Sequence, residues 1–115
     1  MSELTLLLDA ARQGDQQAAG DAFGLLYEDL RRLARARLRP HQTMTLLGTT
    51  SLVHEAYLKV MGSEALPVEN RHHFFAYASR VMRSVIVDDA RARAAERTVR
   101  RDWEKARLLR LAAMG

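Results

Sequence analysis

Apolar residues recur along this chain at three- and four-residue intervals, and no stretch of β-branched residues alternates with polar ones. The first spacing puts side chains on one face of a helix, and the second would mark a strand. Four helices are predicted and no strand. The first runs from about Glu3 to Gln13 and stops at Gly14-Asp15. The second runs from Gln16 or Asp21 to Arg39, with Ala22, Phe23, Leu25, Leu26, Leu30, Leu33 and Leu38 as its apolar stripe. Pro40 is expected to end it, because the residue before a proline is disfavoured in the α region. The third covers Thr50 to Met61, with Leu52, Val53, Ala56, Tyr57, Val60 and Met61 on one face and Gly62 at its end. A loop containing Pro67 follows, from Gly62 to about His72. The fourth starts near His73 and reaches at least Ala95, burying Phe74, Phe75, Ala78, Val81, Met82, Val85 and Ile86. Its other face carries Arg80, Arg83 and Ser84, then Arg91 and Arg93. The expected architecture is all-α, a compact bundle of about four helices with an extended basic C-terminal helix.

Charge sharpens this picture. Residues 1–70 hold 7 basic and 9 acidic side chains, and residues 71–115 hold 11 basic and 5 acidic, so the halves carry net −2 and +6 within a total of +4. A basic C-terminal part points to a polyanion, nucleic acid first. The chain of 115 residues has no cysteine, which removes disulfides and thiolate metal sites. No apolar run reaches the roughly 18 residues of a membrane span, and the acid at Glu3 is unlike a secretory signal. A single cytoplasmic domain with no membrane partner is expected.

Enzyme chemistry finds little support. His54-Glu55 could open a helical zinc signature, but the second histidine would fall on Leu58. His72 and His73 are adjacent, and on a helix they would point about 100° apart. No phosphate loop, nucleophile elbow or partnered carboxylate pair is present, so no catalytic residue, metal or cofactor is assigned. The arginine and aromatic grouping is more informative. Arg71, His72, His73, Phe74, Phe75 and Tyr77 gather where a loop meets a helix, with Arg80 and Arg83 farther along. Basic grooves with flat rings hold single-stranded bases. Phe74 and Phe75 are expected in the core, and Arg71, Arg80 and Arg83 on a binding face.

These strings resemble a family. T-S-L-V-H-E-A-Y-L-K-V, followed after a short loop by R-H-H-F-F-A-Y-A-S-R-V-M-R-S-V-I-V-D-D-A-R-A-R, is similar to region two of bacterial extracytoplasmic-function (ECF) sigma factors. The preceding L-R-R-L-A-R-A-R-L helix fits the same domain, so the resemblance covers residues 4 to 96. It implies a module, residues 1–95, that docks on the clamp coiled coil of the largest RNA polymerase subunit and opens the promoter −10 element. The docking helix falls on Thr50 to Met61, with Thr50, Ser51, His54, Glu55 and Lys59 facing polymerase. A base-capturing loop falls on Gly62 to His73 and a −10-reading helix on His73 to Arg93. Promoter contacts fall on Arg71, His72, His73, Tyr77, Arg80, Arg83, Ser84, Arg91 and Arg93, the family's Arg-Asn pair appearing as Arg83 and Ser84.

One departure is instructive. The family opens its docking helix with an acidic run, and that run falls on Gly48, Thr49, Thr50 and Ser51, where every acid is missing. Helix N-termini favour negative charge, so the gap is physically odd. A phosphate brings about −1.5 to −2 charges and three acceptor oxygens. The acid-poor branch of the family therefore implies a Ser/Thr kinase acting on Thr50, with Thr49 and Ser51 as alternates. The plainer reading is that Thr50 or Ser51 is an N-cap. A second departure is that E-R-T-V-R-R-D-W-E-K-A-R-L-L, residues 96–109, resembles the last helix of region four. Residues 96–115 then read as a helical remnant joined by an internal deletion near Ala94–Glu96; it would extend the fourth helix, fray or pair with another copy. Two other functions stay open: a helical protein-binding adaptor, and a nucleic-acid-binding bundle without sequence preference.

Overall fold

The computed structural model describes residues 3–62 and 71–114. Among them are α1 (Glu3–Arg12), α2 (Gln16–Leu38), a single 3-10 turn (Arg39–His41), α3 (Thr49–Met61) and α4 (Arg71–Met114), with no strand. The proposed base-capturing loop falls mostly on residues 63–70 and lies outside the described residues.

Punctuation in the sequence sets the first hairpin. Gly14 adopts φ 101°, a left-handed conformation that costs a residue without Cβ almost nothing. It lets Gly14 N–H reach the Ala11 carbonyl at 3.1 Å and Asp15 N–H reach that of Ala10 at 3.0 Å, closing α1. Asp15 then caps α2, its carboxylate accepting from Ala18 N–H at 3.1 Å.

The buried residues of α2 are Ala18, Ala22, Leu26, Leu30, Ala34 and Leu38, a strict four-residue repeat. Four residues turn the helix by about 400°, so each step shifts the stripe by about 40° and the whole run winds roughly 200° around the axis. One helix can therefore pack against α1, α3 and α4, while α3 also packs on α4. Leu25 falls off this winding seam and is exposed, contrary to its place in the expected stripe. The seam continues through Leu52, Val53, Ala56, Tyr57 and Val60 of α3 and Phe74, Ala78, Met82, Val85 and Ile86 of α4. Phe23 ties α3 down from the side, its ring 4.9 Å from that of Tyr57, whose hydroxyl donates to the Ala19 carbonyl at 2.9 Å.

Two expectations about helix ends are corrected. Arg39 stays in the α region (φ −50°, ψ −47°) and its N–H reaches the Arg35 carbonyl, so the preference against α before proline is overridden. The missing N–H of Pro40 acts one step later and leaves a lone 3-10 turn. At α4 the helix begins at Arg71, two residues earlier than expected, so Arg71 and His72 are helical residues.

The expectation of a compact bundle is also corrected. The radius of gyration is 20.0 Å and the molecule measures 75 × 28 × 21 Å. A compact chain of this length has a radius near 13 Å. The cause is α4, 44 residues long, whose last buried residue is Ile86. At 1.5 Å per residue the helix continues for about 42 Å past that point. Residues 94–114 are exposed throughout, so the stretch resembling a region-four helix neither folds back nor frays but prolongs α4 as an arm.

This division predicts opposite outcomes for two large residues. Leu30→Ala should cost about 2–5 kcal/mol, because it leaves a cavity in the seam. Trp103, 67% exposed on the arm, is the larger side chain, yet Trp103→Ala should stay within about 0.5 kcal/mol. Urea denaturation followed by circular dichroism checks both, and a large loss from Trp103→Ala would show that the arm has a packing partner.

Candidate functional site

The first turn of α3 follows from the connection before it. Met44 N–H and Thr45 N–H bond the His41 carbonyl at 2.9 and 3.2 Å. The Thr45 hydroxyl, buried, donates to Asp89 of α4 and accepts from Leu47 N–H at 3.0 Å. The chain then extends through Gly48 (φ −83°, ψ 161°), which is the N-cap of α3, and Leu52 N–H closes on its carbonyl at 3.0 Å. Thr49, Thr50 and Ser51 are therefore the first three helical residues. The reading of Thr50 or Ser51 as a cap is overturned: the cap is a glycine with no side-chain bond, and it leaves the first-turn N–H groups unanswered. Thr50 and Ser51 are exposed, and Thr49 is half-buried.

The rest of the predicted docking set shares the outward side of α3. His54, Glu55 and Lys59 are exposed, and Glu55 pairs loosely with Lys59 at 4.0 Å. The His54 ring also rests 5.2 Å from that of Phe23, which limits its swing. Behind the hydroxyls a cleft of about 320 Å³ is lined by Arg35, Leu38, Arg39, Gln42, Leu47, Gly48 and Thr49. Arg35 and Arg39 were missed in the sequence, although their four-residue spacing at the end of α2 was the available signal.

On α4 the nine predicted DNA contacts divide by side. His73, Arg80, Ser84 and Arg91 follow one another at four or seven residues and form an exposed outward stripe, with Tyr77 half-buried at its edge against the core. His72 and Arg83 lie beside it, Arg83 lining a second cleft of about 300 Å³ with Arg37 and His41. Arg37, also missed, donates from Nε to the Ser79 hydroxyl at 2.8 Å. Arg71 and Arg93 do not join the stripe. Arg71 is nine residues from Arg80, about 180° around the helix; it pairs with Asp29 and covers the Phe75 ring at 5.2 Å. The expected single face of Arg71, Arg80 and Arg83 is therefore corrected, because Arg71 is drawn to the body. Arg93 likewise turns inward to Asp89, 3.1 Å away. Phe74 is buried and Phe75 half-buried against it, as a core pair should be. Among the described residues, no three His, Asp or Glu side chains gather as a metal site, and no helix is long and apolar enough to cross a membrane.

The family model described as ECF sigma factor matches residues 1–98. The chain belongs to the ECF sigma factor family. No curated protein and no solved structure matches it. As a sigma factor it acts in transcription initiation, with RNA polymerase and promoter DNA as partners.

In this sigma factor the Thr45–Asp89–Arg93 chain joins the approach to α3 with α4. Its electrostatics are uneven. The Thr45 hydroxyl bond holds the Asp89 carboxyl below the usual aspartate range, partial burial works against this, and Arg93 adds to the lowering. A carboxyl with a lowered folded pKa stabilises the fold above its unfolded pKa, about 3.9, and that contribution is lost as pH falls through the folded value. Wild type should therefore lose stability in acid partly through Asp89. Thr45→Val removes the largest cause of the shift, so its denaturation midpoint should fall less steeply as pH drops below about 5. Identical acid slopes for the two proteins would show that Asp89 is not linked to folding.

Proposed function

We propose that this ECF sigma factor is switched by phosphorylation of Thr50, which a Ser/Thr kinase would carry out and which would allow α3 to dock on the polymerase clamp. The observation that carries the proposal is a first helical turn without acid or side-chain cap, made of three hydroxyl residues, two of them exposed. A phosphate there adds about −1.5 to −2 charges at the positive end of the helix macrodipole and three oxygens for arginine forks. It would restore what the acidic run supplies in other members. Thr50 is favoured over Thr49 because Thr49 faces the cleft holding Arg35 and Arg39, where the chain's own arginines would absorb the charge. Thr50 shares the outward side with Ser51, His54, Glu55 and Lys59, the proposed polymerase contacts.

In the same proposal residues 1–95 are the region-two module and residues 96–115 an appended arm. The outward stripe of α4, His73 to Arg91, holds the −10 element, with Arg80 and Arg91 on phosphates and Tyr77 and Ser84 toward the bases. His72 and Arg83 flank that path. Arg71 and Arg93 support it from the body side, through Asp29 and Asp89. The segment between α3 and α4 captures the extruded base, whose unstacking costs a few kcal/mol.

The test compares the full chain, unmodified and phosphorylated at Thr50, for binding to core polymerase at low and moderate salt. One to three new charge-assisted bonds should tighten binding by at least about tenfold, and the gain should shrink as salt rises. Thr50→Ala treated with the same kinase should show no gain. Equal affinity of the two forms would end the switch, and failure of both to bind would overturn α3 as the docking helix.

A further inference from the structure

A third cleft with a basic lining lies on the far side of α4. It measures about 300 Å³ and runs between the 42–46 connection and the helix, where Arg93, Arg97 and Arg100 line it with Glu96. We infer that this cleft binds the phosphodiester backbone of DNA, a contact separate from the outward stripe. Arg97 and Arg100 belong to no docking or promoter set above, and the inference is independent of Thr50 and of polymerase.

The spacing of the arginines is the first argument. Positions i, i+4 and i+7 share one helix face, and Arg93 to Arg100 spans about 10 Å along the axis. A duplex strand carries one phosphate per 3.4 Å of its axis, so a row of this length matches a polymer track and not one isolated ion. The second argument is how the arginines are used. Arg93 is held at 3.1 Å by Asp89, which the buried Thr45 hydroxyl fixes in turn. Arg97 and Arg100 are exposed and form no ion pair or hydrogen bond with a described residue. One guanidinium is thus fixed in the wall while two remain free to fork onto phosphate oxygens. Glu96 is the single acid, leaving the cleft net positive.

The opposite wall suits a sugar-phosphate chain. Gln42 and Thr43 bring an amide and a hydroxyl, the neutral groups that commonly contact phosphate and sugar. Met44 and Leu46 are both exposed, Leu46 by 81%, and form apolar lips against which a sugar can rest. The wall is rigid, because Thr45 is bonded to Asp89 and to Leu47 N–H. No base-edge selection is built in, so the contact should be indifferent to sequence.

The test uses the full unmodified chain and labelled DNA of about 20 nucleotides, duplex or single-stranded, carrying a −10 element or a scrambled one. Binding is followed by fluorescence anisotropy between about 50 and 200 mM salt. Arg97→Ala/Arg100→Ala is compared with Arg101→Ala/Lys105→Ala, an equal charge change at exposed arm positions outside the cleft. Each lost phosphate contact should flatten the salt slope by about 0.9, so the cleft pair should make the salt-induced loss of affinity roughly tenfold smaller. The effect should be equal for −10 and scrambled DNA, and Arg97→Lys/Arg100→Lys should retain most of the slope. Loss on duplex alone assigns the cleft to paired DNA, and loss on the single strand alone assigns it to an opened strand. An unchanged slope, or equal flattening by the control pair, overturns the cleft. A missing −10 preference with the cleft effect intact would count against the promoter-reading stripe alone.

Discussion

Thr45 is the buried polar side chain of the described core, and its hydroxyl answers two groups that are far apart in sequence. It donates to Asp89, 44 residues away, and accepts from Leu47 N–H two residues on. Leaving such a hydroxyl unsatisfied would cost about 1–3 kcal/mol. The bond fixes the connection after α2 against α4. Gly48 follows three residues later, so the start of α3 is set before any of its own residues are counted. The hydroxyl run, the cleft behind it and the cleft under Arg93 all inherit their positions from this contact.

The arginines of α4 divide along the same boundary. On the body side, Arg71 and Arg93 meet Asp29 and Asp89, so their charge is largely neutralised within the protein. Among the described residues Arg80, Arg83 and Arg91 meet no such acid, and neither do Arg97 and Arg100. A sigma factor with a near-neutral body and a basic helix thereby presents a field to DNA without repelling its own fold. Charge of this kind raises encounter rates with a polyanion and is sensitive to salt.

The helices were legible in the sequence because their buried positions repeat at the helical period and most of the seam lies within single elements. Gly14, Asp15 and Gly62 marked boundaries through local backbone chemistry, which needs no tertiary partner. The errors came where a distant group decided. Nothing near Arg71 announces Asp29, and nothing near Thr45 announces Asp89. The place of Arg71 opposite Arg80 was nonetheless readable, since nine residues bring a helix to its other side. Leu25 misled because a straight stripe was drawn where the four-residue repeat winds. The end of α4 was left open between extension, fraying and pairing, because a polar helix with scattered leucines carries no packing signal. Its rich content of Arg, Ala, Leu and Glu suits an exposed helix on propensity alone.

The same separation of roles explains how an α3 terminus can lack both acid and cap. A side-chain cap is worth about 1 kcal/mol, and an acid in the first turn about 0.3–1. Burial of one large apolar side chain is worth about 1.5–3 kcal/mol, and α3 buries Leu52, Val53, Tyr57 and Val60 beside Ala56. The helix therefore stands on its packed face, and its first turn is left free of structural duty. A hydroxyl that capped the helix would resist modification, because losing the cap bond would weaken the fold. Thr50 makes no such bond. Under the proposed switch, adding phosphate would change what the terminus attracts while leaving the packing that holds it in place.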